Sequence, residues 1–497
     1  MKNLIYILVY FSPLISNLFA QEIDLNWAPD LIKENVVQDD YRPFHLDDDA
    51  YYILASKRKE SSILKFDLNH NYLSETVFSD FQGKQHITPQ NKIRTKNFTY
   101  AYSILGDAKA DVSSIYTSQL QQDGFEKLNA KFRHPLNIGA TCLFNLDLVL
   151  SPDSALIAYV NDQGKNKIGE SKNISVAVFN ERFGTLWKKE FELDVPGSKF
   201  EQLQTIVGND GVIYILARNF VPIKERKNRV LPFEYVIYRL HHTGIQSKTV
   251  ELNDKNILLD IRISLLSESG GLSIVGTYSD KSEREGIHGL FYTSGNLIKG
   301  FTDMAYSKFE RELLEWYSTP EQVSKGSGLP LTFVIKEGRR HPNGDLSLVL
   351  EDSFEVVDEE DDDDIIYHSY DILVARFSNT GTLKNIAHLP KYFFGGGLRS
   401  STSYSLSMNQ DEIYILYNHT KRKGEFEEGE DKCFFCTYTE IVVINQNGRV
   451  ASGTELIVSK VKDGRIHPLQ SAVNNNAFLI VSKNVKNVTM GTIRLEN

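Results

Sequence analysis

The sequence predicts an all-β chain folded as a β-propeller, with eight blades of about four strands and seven as the alternative count. Three observations carry this. A polar turn recurs along the chain at Asp47-Asp48-Asp49, Ser151-Pro152-Asp153, Asn209-Asp210-Gly211, Ser269-Gly270-Gly271, Asn343-Gly344, Asn409-Gln410-Asp411 and Asn474-Asn475-Asn476. Each copy is followed by a run rich in Ile, Val, Leu and Tyr, such as YYILAS, ALIAYV, VIYILAR or IYILYN. A second turn closes every unit but the last, at Asn69-His70-Asn71, Asp123-Gly124, Arg182-Phe183-Gly184, Thr243-Gly244, Ser294-Gly295, Thr380-Gly381 and Asn447-Gly448.

Short β-branched and aromatic runs between regularly spaced turns specify strands. Copies roughly 50 to 70 residues apart, with one longer interval, match the period of propeller blades. Glycine, or asparagine in the first copy, suits the second turn because that turn needs a residue tolerating positive φ. Only the second unit, entering its strand at Phe98, lacks a clear polar turn, and the second and fifth units are the weakest.

The chain ends fit a closed ring. The last unit stops at TIRLEN before any second turn, whereas Glu22 to Trp27 reads as a spare strand. That strand is expected to complete the last blade and so remove an open sheet edge. Tandem sandwich domains would show boundaries every ~100 residues, and the chain shows none.

Residues 1–20 read as a signal peptide, with one lysine, an apolar core from Leu4 to Leu18 broken by Pro13, and a small residue at Ala20. Residues 21–497 then form a single propeller domain, exported to a periplasmic or extracellular location. Later apolar stretches are too short to span a bilayer. The formal charge is −10, and becomes −11 when Lys2 leaves with the signal. That balance argues against nucleic acid as a partner, and a monomer is expected.

Cys142, Cys433 and Cys436 are the only cysteines, too few for a disulfide framework. Cys433-Phe-Phe-Cys436 has redox-motif spacing but lies where a charged loop enters a strand, which leaves a local disulfide, plain thiols or metal binding. Two insertions lengthen the sixth repeat. Tyr306 to Val323, about 306–323, places Phe309, Leu313 and Trp316 or Tyr317 at helical spacing and is expected to dock on the blades. The other is the acidic run from Asp358 to Asp364.

The order from the Phe309, Leu313, Leu314 helix through Asn343-Gly344, Leu348 to Glu351, Tyr370 to Gly381, Leu389 to Lys391, Ser403-Tyr404 and Ile413 to Asn418 resembles a group of uncharacterised secreted β-propeller-like proteins of Bacteroidota. The match covers about a quarter of the chain and departs where Asn385 to Ala387 replaces the group's tryptophan. The resemblance implies an exported propeller of a cell envelope and no particular reaction.

In a four-stranded blade, the loop between strands two and three and the loop to the next blade open on the same face. The first kind of loop carries Lys57-Arg58-Lys59, Lys165, Lys167, Lys172 and the run Lys224 to Arg229 in early units, but Asp358 to Asp364 and Glu425 to Asp431 in late ones. One face is therefore expected to be basic on one side and acidic on the other, an arrangement that orients a charged partner or simply solvates loop tips. Calcium at Asp358, Asp361, Asp362, Asp363 and Asp364 is the sharper alternative, although the run lacks calcium-loop spacing.

Interblade loops supply His86, Arg133, His134, Lys391, Arg399, Arg465 and His467, with Gly395 to Gly397 before Arg399. A basic central funnel of this kind would suit an acidic glycan or peptide through paired arginine hydrogen bonds. Motifs for hydrolase, metalloprotease or phosphate-loop chemistry are missing. Glu351 and Asp371, at the ends of adjacent strands, are the candidate carboxylate pair for glycoside hydrolysis. The expected function is thus an exported binding or scaffolding module. The alternatives are a polysaccharide-active lyase or glycosidase and a ring that serves only protein partners such as an envelope protein.

Overall fold

The computed structural model describes residues 23–28, 40–56, 60–78, 81–82, 85–86, 89–107, 112–121, 124–125, 133–135, 148–162, 171–221, 231–253, 255–266, 271–283, 285–358, 364–396, 403–420, 437–457, 465–468, 471–474, 477–483 and 488–495. They form eight antiparallel blades, in each of which sheet order follows chain order apart from the closing strand. Blade 1 is Asp40–Leu46, Ala50–Ser56, Ser61–Asp67 and Tyr72–Phe78, and blade 4 repeats it as Phe200–Val207, Ile213–Phe220, Phe233–His241 and Gly244–Val250. Blade 5 starts at Asn256–Leu265 and Leu272–Asp280, and blade 7 at Tyr404–Asn409 and Glu412–Thr420. Blade 8 combines Ala477–Lys483 and Val488–Leu495 with the N-terminal strand Ile23–Trp27, which pairs with 488–495 from Ile23↔Leu495 to Trp27↔Gly491. The composite last blade is as the repeat predicts.

Burial follows from this stacking. Second strands lie between two neighbouring blades, so Ala50–Ser56 and Leu272–Asp280 are buried almost throughout. Fourth strands face outward, and Gly244–Val250 is exposed along its middle. Buried apolar side chains among the described residues form eight clusters, each shared by two adjacent blades around the ring. The hydrophobic effect thus acts across every blade interface. Among the described residues, no helix is long and apolar enough to cross a membrane.

The second turns differ from expectation in one respect. In the first and third copies the positive φ falls on His70 and Phe183, not on Asn71 or Gly184. The residue ending the third strand supplies the reason, since its side chain closes the turn. Asp67 accepts from the Asn69 and Asn71 amides, and Asn180 accepts from those of Arg182 and Gly184. Such side-chain turns tolerate non-glycine residues in the left-handed region. Blade 2 also has its turn, closed by Thr95 hydrogen bonding with Phe98.

The insertion is less helical than its spacing suggests. Ala305–Lys308 is a strand pairing with the third strand of blade 5, followed by two short helices, Arg311–Leu314 and Pro320–Ser324. Thr319 starts the second helix with a reciprocal capping box, and Pro320 occupies its first turn. Phe309, Leu313, Leu314 and Tyr317 pack into the cluster of blades 5 and 6, whereas Trp316 is 67% exposed.

Candidate functional site

Blade 6 departs from the others. After a first strand of eight residues, Phe333–Arg340, its strands Leu346–Asp358, Asp364–Phe377 and Leu383–Gly396 run 13, 14 and 14 residues and extend past it at the face where the second-to-third-strand loops open, the long-loop face. All three break register at one level. Between the second and third strands Asp352 and Tyr370-Asp371 are skipped, from Glu351↔Ile372 to Ser353↔Ser369, and between the third and fourth Asp371 and Pro390-Lys391 are skipped, from Tyr370↔Tyr392 to Ile372↔Leu389. Proline fits there because a bulge in an outer strand needs no ladder donor. Bulges re-aim side chains, and this triple bulge gathers three of the sequence candidates, Glu351, Asp371 and Lys391.

Glu351 is 1% exposed and points towards blade 7. Its carboxylate accepts from Lys391 Nζ at 2.8 Å, Ser369 Oγ at 2.6 Å and Ser403 Oγ of blade 7 at 3.1 Å, with Lys336 Nζ at 3.3 Å. Burial works to raise its pKa. The charges of Lys391 and Lys336 outweigh that and hold the carboxyl below its usual range. Lys391, expected in a funnel loop, instead sits within the fourth strand with no exposed surface.

Asp371 opens to the other side of the blade. It accepts from Tyr317 of the insertion at 2.7 Å and from the Lys391 amide at 2.9 Å, and lies 2.8 Å from His388 Nε2. Despite burial, hydrogen bonds from His388, Lys391 and Tyr317 keep its carboxyl low. Asp352 differs: burial first, then the charges of Asp371 and Glu351, push its pKa up, and its Oδ1 lacks a partner among the described residues. Glycoside hydrolysis needs two carboxylates flanking one bond. Here Glu351 faces Ser403 of blade 7, and Asp371 faces Tyr317, which packs with blades 5 and 6.

Above Glu351 lies a cavity of about 720 Å³. It is lined by Lys336 and Glu337 of the first strand, Glu355 and Tyr367 of the raised hairpin, and Ser403 and Tyr404 of blade 7. Phe354 and His368 line it too, and from them an aromatic row runs along the hairpin. Phe354 stacks on His368 at 4.7 Å, and Tyr370 stacks on Tyr392 at 5.2 Å. This cleft was not legible as a site, because serines and tyrosines at strand ends give no pattern and the bulges cannot be read from periodicity.

The other candidates are placed as follows. His467 follows the short strand Arg465–Ile466, is 2% exposed, and donates its amide to Val481 O. Lys172, expected in a loop, is buried in the strand Ser171–Asn180 with Nζ over the Phe200 ring. His86 lies in a short strand with Gln85, and Arg133 and His134 in the strand Arg133–Pro135, which pairs with the third strand of blade 2. Their side chains, like that of Arg465, lie outside what is described. So do Arg399, Cys433, Cys436, Asp361, Asp362 and Asp363, whereas Asp358 and Asp364 close the raised hairpin as a register pair.

The described first strands near the axis carry both charges, with Asp260 beside Arg262 at 3.1 Å and Glu337 beside Arg339 at 2.6 Å.

No family model matches the chain, and no curated protein sequence does. Among solved structures, the WD40 domain of SCAP from fission yeast aligns over 96% of this chain and 98% of its own, at 11% identity and a TM-score of 0.35. A structure from a study of two prolyl endopeptidases aligns over 91% of this chain and 56% of its own, at 9% identity and a TM-score of 0.42. An ulvan lyase of polysaccharide lyase family PL25 aligns over 95% and 94%, at 10% identity and a TM-score of 0.34.

Proposed function

We propose that this protein is an exported binding module of a cell envelope that takes its ligand on the long-loop face, in the cleft between blades 6 and 7. Residues 1–20 support export, having the form of a signal peptide. The observation that carries the binding site is the cavity above Glu351, about 720 Å³ and therefore within the range of ligand pockets. Its floor is rigid: a fully buried lysine and a buried carboxylate hold each other, and two serines and Lys336 satisfy what remains. Preorganised polar groups bind without the cost of ordering them on arrival.

The lining sets the ligand chemistry. Hydroxyls of Ser353, Ser369, Ser403, Tyr367 and Tyr404 stand beside the carboxylates of Glu337 and Glu355, with Phe354 and His368 in the same wall and Glu351 and Lys336 at the floor. A polar chain that donates hydrogen bonds or carries positive charge suits this wall better than an acidic glycan. Of the basic funnel that would hold an acidic ligand, Lys391 and His467 are buried in blades, and the side chains of Arg133, His134, Arg399 and Arg465 lie outside what is described.

A thermal-shift screen of residues 21–497 with oligosaccharides and short peptides tests this reading. Ligand at 100 times its Kd stabilises the folded state by about 2.7 kcal/mol. The shift should vanish in Ser403→Trp, whose ring fills the cleft. A shift that survives in that variant places binding elsewhere.

A further inference from the structure

The raised hairpin has an edge with no neighbour. The first strand of blade 6 begins at Phe333, opposite Asp352, while the second continues to Asp358. Beyond the Ser353 amide, which reaches Thr332 O, no described strand pairs with the inner edge of 354–358. Hydrogen-bonding direction alternates along an antiparallel strand. Because the Ser353 N–H points inward, the amides and carbonyls of Glu355 and Val357 also face this open edge, whereas those of Phe354 and Val356 pair with the third strand. The open edge borders the cavity, whose wall includes Ser353, Phe354 and Glu355.

Proteins usually blunt such edges, since an exposed edge recruits another strand. This one carries β-branched residues in the open, Val356 at 42% and Val357 at 54% exposure. Resting on the cleft reading above, we propose that the partner is an extended peptide that adds as a further strand to the edge of 354–357, with basic side chains towards blade 7. Strand addition takes affinity from main-chain hydrogen bonds and specificity from alternate side-chain positions.

The two faces define those positions. On the blade 7 side the peptide meets Glu355, Glu337 and Tyr367. Glu355 has no ion-pair partner among the described residues, and the sequence continues directly into seven acidic residues, Asp358 to Asp364. On the other side it extends the aromatic row of Phe354 and His368. Alternating basic and apolar residues fit this pattern, and an acidic peptide is repelled by it.

Fluorescence anisotropy of a labelled peptide of alternating Lys and Val, with an alternating Glu and Val peptide as control, tests the proposal on residues 21–497. The Lys peptide should bind, weaken with added salt, and lose about tenfold in affinity to Val357→Pro, which removes one edge donor and leaves the hairpin's own ladder intact. Methylating alternate amides of the peptide should abolish binding to the unaltered protein, a result that does not depend on any variant folding.

Equal binding by Val357→Pro, by the methylated peptide or by the Glu peptide overturns strand addition. If saccharides give a shift sensitive to Ser403→Trp while the Lys peptide does not bind, the peptide proposal fails and the cleft reading stands. If nothing binds, both fail.

Discussion

At the scale of single residues, the Lys391 and Glu351 pair shows how a charge can be buried without loss of fold. Desolvating either ion alone costs several kcal/mol, and removing one partner strands the other. Lys391→Met should therefore destabilise the protein by about 3 kcal/mol at neutral pH, read from urea denaturation. The sign with pH follows from Glu351. Its folded pKa lies below the ordinary value of 4.5, so its ionised form adds stability that is present above that value and lost as pH falls through the folded one. Without Lys391 only the more distant Lys336 charge opposes burial, so the carboxyl rises, and acid then relieves the variant while it weakens the parent. The gap between the two should narrow below about pH 5, and Glu351→Gln added to Lys391→Met should recover much of the loss. A gap that widens in acid would show that Glu351 is not the group left uncompensated.

At the scale of elements, the first strands carry a device that the repeat pattern does not reveal. Those of blades 1, 4, 5 and 6 each break register once, and the residue just after the break is His45, Gln204, Asp260 or Glu337. Each reaches the next blade. His45 meets Lys92, Gln204 pairs with both backbone groups of Ile263, Asp260 accepts from the Ile335 amide, and Glu337 bonds Tyr404. Asp260 also accepts from the Ile261 amide and pairs with Arg262, so Asp260→Ala takes the acceptor from two amides and the counter-charge from a cation that keeps, among the described residues, only the Ile261 and Ile335 carbonyls, and should cost about 2 to 4 kcal/mol. Hydrogen exchange locates the effect: the Ile335 amide should lose protection more than amides of blades 1 and 2, and uniform loss would refute a local clasp. Strands and turns were legible because apolar period and turn chemistry are local. These clasps were not, since a bulge adds one residue without any composition cue, and its partner lies a whole blade away. For the same reason Glu351 and Asp371 stood out in the sequence as charged strand ends and Lys391 as a loop cation, while their gathering at one triple bulge did not.

At the scale of the molecule, the ring closes through contacts between residues as far apart in sequence as 461 positions, as Thr489 and Ala28 are. Loop-closure entropy grows only slowly with length, so five residue pairs between Ile23–Trp27 and Val488–Leu495 suffice when side chains support them. They do. Gly491 lies under Trp27, where a Cβ would come within 2.8 Å of the indole, and the His70 ring reaches the Asn26 carbonyl at 3.2 Å from blade 1. Leu25 and Trp27 also pack on the cluster of blades 7 and 8. Beginning the chain after Ala28 removes this strand and leaves Val488–Leu495 as an open edge beside a partly uncovered core. The shortened protein should melt at a lower temperature and self-associate in light scattering as protein concentration rises, because an unpaired edge templates further strands. A synthetic peptide of residues 21–28 should raise the melting temperature and suppress association, whereas the same peptide with Trp27→Ala should do neither. If the shortened protein melts like its parent, blade 8 is held by Ala477–Lys483 and Val488–Leu495 alone and the N-terminal strand is dispensable to the ring.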